Sequence, residues 1–459
     1  MKKLNQMKSL KKMKKLAAFI LALAMTVVMA GCGGGNQGND DKADDGGKKE
    51  GGEKKELLVW TFLNPNDESG RGYVLGKAKE LYESQHEGVT VRIESLEWDT
   101  MTAKFFAATQ TGEAPDVIWV NGLNLGEAIQ LGVVEPFENL FMKDWTDEQF
   151  QDLDDVRFEY GATDDAHYQL HLSTNVYGIV YRADLFKQFE IDPNFESWDD
   201  LIAAAQKLTY VNEDGMQVYG LGVGYSEKSA DSNYLRAQLF TQYGDVVDEN
   251  GQANWNGDVG QAALQMQIDM IDKYGITPQS AVSATSEEMY ADFIAGKYAM
   301  VFGGSVRIPT IKSQCAYDPD SVKLMAYPSS NGKEGKGLAA GWNVCVYSGS
   351  EMKEEAGEFI ETLCCPEIDK LWVEEGGQIP LLKSTVDACS EFLSSPDNEY
   401  LKTAMEMLEN NAVAYNSEYV ISGYVTDLVK AMQLAYVEGK SVEEALDTTA
   451  KEFNERNGN

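Results

Sequence analysis

The sequence predicts an α/β protein with a mostly parallel sheet, divided into at least two lobes. Strand-period and helix-period segments alternate from Leu57 onward, the order that lays helices over parallel strands. The chain has 459 residues, more than the roughly 250–300 at which a single core stops growing. Its 43 % hydrophobic and 10 % aromatic content is that of a folded protein rather than a disordered or fibrous one.

Leu57 to Phe62 is an apolar run of buried-strand type, followed by a Pro/Asn/Gly loop from Asn64 to Gly70. Val74, Leu75, Ala78, Leu81 and Tyr82 share one helical face. Val89 to Ile93 alternates as a second strand, Met101 to Ala108 reads as helix, and Asp116 to Val120 is a third strand after Pro115. Leu125 to Leu131 is a short helix stopped by Gly132. Gly178 to Tyr181 is a strand leading into a helix around Leu185 and Phe186, and Ser197 caps the helix that carries Leu201, Ala204, Ala205 and Leu208. Val259 to Tyr274 is a long amphipathic helix, Met289 to Ala295 a helix, and Tyr298 to Phe302, Ser321 to Ala326 and Trp342 to Tyr347 are strands. Ser350 caps a helix running to about Leu363, Pro366 opens the next one, and the chain after Asn398 reads as helical. No period of 20–50 residues marks a repeat fold.

Charge is unevenly distributed. Residues 1–31 hold seven Lys and no acid, so without them the net charge of −35 becomes −42. An acidic body argues against nucleic acid, whose phosphates need clustered Lys and Arg. The run Leu16 to Ala30 is too short for a membrane span and fits the apolar part of a signal peptide. It ends Met29-Ala30-Gly31-Cys32, which resembles the lipobox of bacterial lipoproteins, with Met29 where Leu is usual. The resemblance implies that Cys32 is acylated, palmitate included, and becomes the mature N-terminus. Residues 33–56 carry eight Gly and no large apolar side chain, which predicts a disordered tether. Its reach is about 25–30 Å as a flexible coil.

Several motifs stand in a recognisable order. They are Leu58-Val59-Trp60, Phe105 with Gly112 to Val117, Val134 to Phe137, Gly178 to Phe186 with Ser197 to Leu201, Phe293 to Met300, and Gly341 to Val346. The set resembles the extracellular solute-binding proteins of family 1, the carbohydrate-type lipoprotein receptors of ABC transporters. The resemblance implies a two-lobe periplasmic-binding-protein-like fold of type II, with the ligand in a cleft between the lobes. The first lobe is expected from 57–172 plus 341–365 and the second from 175–338 plus 366–459, with crossings near Ser173-Thr174-Asn175 and Leu338-Ala339-Ala340. The implied partners are a sugar or oligosaccharide, the permease subunits of an ABC transporter, and the membrane through the lipid anchor. The expected location is the outer face of the cell membrane, as a monomer without cofactor, metal or nucleic acid. A lipid-anchored carbohydrate-active enzyme and a sensory solute-binding protein are the alternatives.

A sugar needs a flat aromatic for its C–H face and polar groups for its hydroxyls. Trp119 and Asn121 stand at the end of a strand, and Trp342 and Asn343 begin another after Gly341. Each Trp either stacks on ligand or fills core. Asn64 and Asp67 follow the first strand and either bond hydroxyls or only shape the turn. Tyr177 follows a crossing and Tyr225 lies in a Gly-rich loop; both are candidates for the ligand or for packing. Where relatives carry Gly-x-Trp, this chain has Gly303-Gly304-Ser305-Val306-Arg307. Arg307 either binds a hydroxyl pair or carboxylate in a bidentate manner, or forms a salt bridge.

Other chemistries lack their motifs. His167 and His171 fall on a strand without a third ligand. Asp248 to Gly251 reads as a turn, Gly332 to Gly337 lacks the Ser or Thr of a phosphate loop, and no Gly-x-Ser-x-Gly elbow occurs. Cys364 and Cys365 are expected to be unpaired, buried thiols.

Overall fold

The structure is a computed structural model that describes residues 55–153, 162–163, 166–229, 232, 239–240, 244–329, 335–410, 412–414 and 418–457. The signal segment, Cys32, nearly all of the tether and the first half of the Gly332 to Gly337 loop lie outside the described residues. Strand β1 (Lys55–Thr61) begins two residues before the expected boundary.

In the first lobe β1 lies between β2 (Val89–Ser95) and β3 (Val117–Asn121), both parallel to it. Helix α1 (Gly70–Gln85) covers β1 with Val74, Leu75, Ala78 and Tyr82, the face expected from the periodicity. A two-stranded ribbon, β4 (Ala162–Thr163) with β5 (Ala166–His167), follows. His167 there faces Glu138 through Nδ1 at 2.5 Å. Among the described residues, no group of three or more His, Cys, Asp or Glu is arranged to hold a metal, and no helix is long and apolar enough to cross a membrane.

The long strand β6 (Leu170–Arg182) leads into the second lobe. There β7 (Tyr210–Val211) and β8 (Gln217–Gly222) form a hairpin beside β9 (Tyr298–Gly304), and β10 (Val322–Met325) pairs with the distal half of β6. Strand β11 (Gly337–Val346) returns to the first lobe, and β12 (Ala412–Val413) lies against its start. The main order is β2-β1-β3-β11-β6-β9-β8-β7. The sheet is mixed rather than mostly parallel. The returning strand β11 approaches from the second lobe, so it runs antiparallel to both β3 and β6.

One core, with Val59, Phe105, Trp119, Phe137 and Phe359, fills the first lobe. It extends beyond residue 365, because Ile368, Trp372, Leu381 and Leu382 pack there too. Two further cores flank the second-lobe strands. Tyr177 and Ile179 enter one, and Val176 and Val180 the other, the alternation of a strand covered on both faces. Helix 353–363 begins after Met352, not Ser350. Ser350 instead closes the preceding turn, accepting from the Met352 N–H at 2.9 Å and donating to Asp116 at 2.6 Å. Ser197 caps its helix as expected, accepting from the Asp200 N–H. Cys364 and Cys365 are free thiols, and burial pushes the Cys364 thiol well up.

The two expected crossing segments lie side by side: Ala340 pairs with Asn175, Ala339 with Val176 and Leu338 with Tyr177. Asn175 is buried and its Oδ1 accepts from the Ser305 hydroxyl and the Val306 N–H, each at 3.2 Å. A Cβ on Gly304 would fall 2.2 Å from the Asn175 amide, so the bridge needs glycine there. Removing this acceptor leaves a buried N–H without a partner, so Asn175→Ala should cost about 1–3 kcal/mol. Urea unfolding would register this as a lower midpoint at an unchanged slope. An unchanged midpoint would show that the bridge contributes nothing.

Candidate functional site

The loop after β1 carries the first candidate residues. Asn64 Nδ2 donates to Asp67 Oδ1 at 2.8 Å, and the Asp67 N–H donates to the Asn64 carbonyl at 3.2 Å. This turn lies directly on α1. A Cβ on Gly72 would be 2.2 Å from the Asn64 carbonyl, so only glycine permits the approach. Asn64 and Asp67 are therefore turn-forming residues, exposed and bonded to each other. What the loop presents instead is Phe62 and, at the second position of α1, Arg71. The Arg71 guanidinium lies over the Phe62 ring at 5.3 Å.

Phe62 in turn meets Trp342, with ring centroids 4.8 Å apart and planes at 46°. Trp342 is half-buried, which leaves part of the indole open to a ligand. Its backbone pairs with Asn121 at the end of β3, where the Asn121 side chain accepts from the Leu123 N–H at 3.0 Å. Gly341 precedes it with φ 152°, a conformation that favours glycine.

The second lobe contributes Tyr177 and Arg307. Tyr177 pairs with Gly304 across β6 and β9 and is 5 % exposed. Arg307 follows the Ser305 turn that Asn175 holds. Its Nη2 donates to Glu287 at 2.5 Å and its guanidinium lies over the Tyr290 ring at 5.0 Å. The salt bridge offered as one reading of Arg307 is thus present. Both residues reach Arg71 electrostatically. Burial, and then the Arg307 charge, bring the Arg71 pKa down to about 10, while Tyr177 acts in the opposite direction. Arg71 stays cationic at neutral pH. Among the described residues it makes no ion pair and no hydrogen bond.

Four expected ligand residues lie inside the protein, Tyr177 among them in the second-lobe core. Trp119 is 0 % exposed, because β3 is covered on both faces and only Asn121 emerges at its end. Tyr225 is 1 % exposed in the second-lobe core, where its N–H donates to the Ala281 carbonyl. Asn343 is 3 % exposed, next to the bulge that shifts the β6–β11 register. None offers surface to a ligand in this conformation. The residues brought together are Phe62, Arg71, Asn121, Tyr177, Arg307 and Trp342. Phe62, Arg71 and Tyr290 were not singled out from sequence. The available signal for Arg71 was an isolated Arg between Gly70 and Gly72 at a helix start. A separate cavity of about 530 Å³, lined by His86, Trp145, Glu361 and Cys364 among others, shares no residue with this set.

Solved structures share the fold. The ABC substrate-binding protein Lmo0181 from Listeria monocytogenes, in complex with cycloalternan, is 17 % identical, with 88 % of this chain and 99 % of that one covered and a TM-score of 0.72. An ABC transporter solute-binding protein from Thermotoga lettingae, bound with α-D-tagatose, is 20 % identical over 87 % and 99 %, with a TM-score of 0.71. The GacH receptor of Streptomyces glaucescens, solved unliganded and with acarbose, is 18 % identical over 88 % and 99 %, with a TM-score of 0.72. The chain thus shares the two-lobe fold of periplasmic binding proteins. The family model that matches residues 66–367 spans both lobes and both crossings, and the chain belongs to the bacterial extracellular solute-binding proteins.

Proposed function

We propose that this protein is a lipid-anchored receptor that captures a sugar or oligosaccharide between its lobes and delivers it to an ABC permease. The observation that carries the reading is the half-buried Trp342 packed on Phe62 where β11 re-enters the first lobe. An indole in that position removes the apolar face of a sugar ring from water and fixes its plane. The sugars and sugar analogue held by the three similar structures support the same ligand class.

Capture proceeds by hinge closure. Solute first meets Phe62, Arg71 and Trp342 on one lobe. Closure then brings the Tyr177 and Arg307 side of the other lobe over it and presents a new surface to the permease. The acyl chains on Cys32 hold the body at the membrane, and the tether of 24 residues gives it about 25–30 Å of reach. The protein works outside the cell as a monomer. A thermal-shift screen of neutral and acidic mono- and oligosaccharides tests the ligand class. At 100 times Kd a ligand adds about 2.7 kcal/mol of stability. Turnover of the pooled sugars would contradict a receptor without chemistry.

Trp342→Ala should weaken solute binding about 5- to 150-fold, the equivalent of losing one stacking aromatic. The apo melting temperature should move little, because the ring is only half-buried. A core tryptophan behaves differently and costs about 3–5 kcal/mol of fold stability when cut to alanine. An apo protein that melts far earlier, with normal binding by its folded fraction, would place the ligand elsewhere.

Cys32→Ser should release the protein from membranes or leave it unprocessed, whereas Cys364→Ser and Cys365→Ser should leave attachment unchanged. Fractionation followed by immunoblotting reads this directly. Membrane retention of the Cys32 variant would overturn the anchor.

A further inference from the structure

We propose that the cleft selects a carboxylate-bearing saccharide, with the Arg71 guanidinium as its anion-binding group, an inference that rests on the receptor reading above. Donors and acceptors in the cleft are unequal. A neutral sugar offers hydroxyls that both donate and accept, and is matched by amides and carboxylates. Two polar groups of the neighbouring segments already have partners. Asp67 accepts from Asn64, and the Asn121 oxygen accepts from the Leu123 N–H.

Arg71 itself has no anion. Among the described residues its guanidinium makes no ion pair and no hydrogen bond, and it lies over the Phe62 ring. Arg307 carries the same sign nearby but is matched by Glu287 at 2.5 Å. The imbalance therefore sits on Arg71. The start of α1 adds to it, because the first turn of this 16-residue helix has no acidic side chain and Ser69 supplies no side-chain cap. The helix dipole there favours negative charge, and the Asp67 carboxylate lies against Gly72 in the same turn.

Closing the lobes on a neutral ligand would bury an unmatched cation, which is strongly unfavourable. Closing them on a carboxylate removes that cost. The planar guanidinium fork fits a carboxylate through two parallel hydrogen bonds. The Phe62–Trp342 pair beside it takes the ring that bears the acid, as in a uronic acid. Arg71 also supplies local attraction in a chain of net charge −35, which otherwise repels an anionic solute.

Calorimetric titration of the full chain in detergent tests this, with uronic acid oligomers, their neutral counterparts, and the sulfated and phosphorylated forms of the same sugars. The uronate should bind at least about 30-fold more tightly than its neutral counterpart. Arg71→Ala should weaken uronate binding about 100-fold, and Arg71→Lys, which keeps the charge and loses the fork, about 10-fold. If Arg71→Ala does not fold, the Arg71→Lys ratio decides. A neutral sugar bound more tightly than the uronate, and equally by wild type and Arg71→Lys, would overturn the inference while leaving the receptor intact. Preference for the sulfated or phosphorylated sugar would overturn the carboxylate assignment. Binding of no saccharide, neutral or charged, would overturn both readings.

Discussion

The antiparallel pairing of β6 with β11 is the constraint on which the cleft depends. Each strand begins in one lobe and ends in the other, and they bond to each other where they cross, Ala340 against Asn175. Sliding one strand past the other would break several backbone hydrogen bonds at once and turn every side chain to the wrong face. Bending both strands together breaks none. The same pairing sets the cleft residues. Tyr177 follows Asn175 by two residues along β6, and Trp342 follows Ala340 by two along β11. Asn175 then ties β6 to the turn that carries Arg307.

Desolvation decides what the cleft tolerates. Most charges of this acidic protein lie in water, where ion pairs such as Lys77 with Glu80 contribute little. Arg71 is different, because burial and the Arg307 charge both press against its protonated form. A guanidinium held this way on an aromatic ring binds well only to something that returns negative charge. In the proposed reading the aromatic pair takes the apolar face of a ring and the cation takes its polar substituent.

Much of the architecture was legible in the sequence. The first-lobe strands and α1 are apolar runs with clean periods, and both crossing segments could be located. The sheet direction was not legible, because the rule that strand–helix alternation builds parallel sheets does not foresee a strand returning from the other lobe. The sequence read β6 in pieces, as a strand around His167 to His171, a crossing at 173–175 and a strand from Gly178, rather than as one. His171, Thr174 and Asn175 are buried there, and polar residues in a strand mask its pattern. Thr174 is satisfied locally, its hydroxyl donating to the His171 carbonyl at 2.9 Å. The hairpin of β7 and β8 was missed because β7 is only two residues long. For the site, both tryptophans stood as candidates for ligand or core: Trp342, after Gly341, is half-buried beside Phe62, and Trp119 lies in the core. A tryptophan one turn of the pleat from a strand end can face either layer, and only the packing on both sides of β3 settles which. Phe62 read as the last strand residue, and Arg71, just after the Asn64 to Gly70 loop, was not singled out. Their proximity appears only in the fold, where Gly72 lets the Asn64 turn lie on the helix and Arg71 sits over the Phe62 ring.

Small-angle X-ray scattering on the full chain, with and without a saturating saccharide ligand, measures the motion that the paired crossing strands permit. The bound form should have a smaller radius of gyration, with the two-lobe profile kept and the ligand recovered intact. An unchanged radius at saturation would contradict closure about β6 and β11, and with it the receptor mechanism.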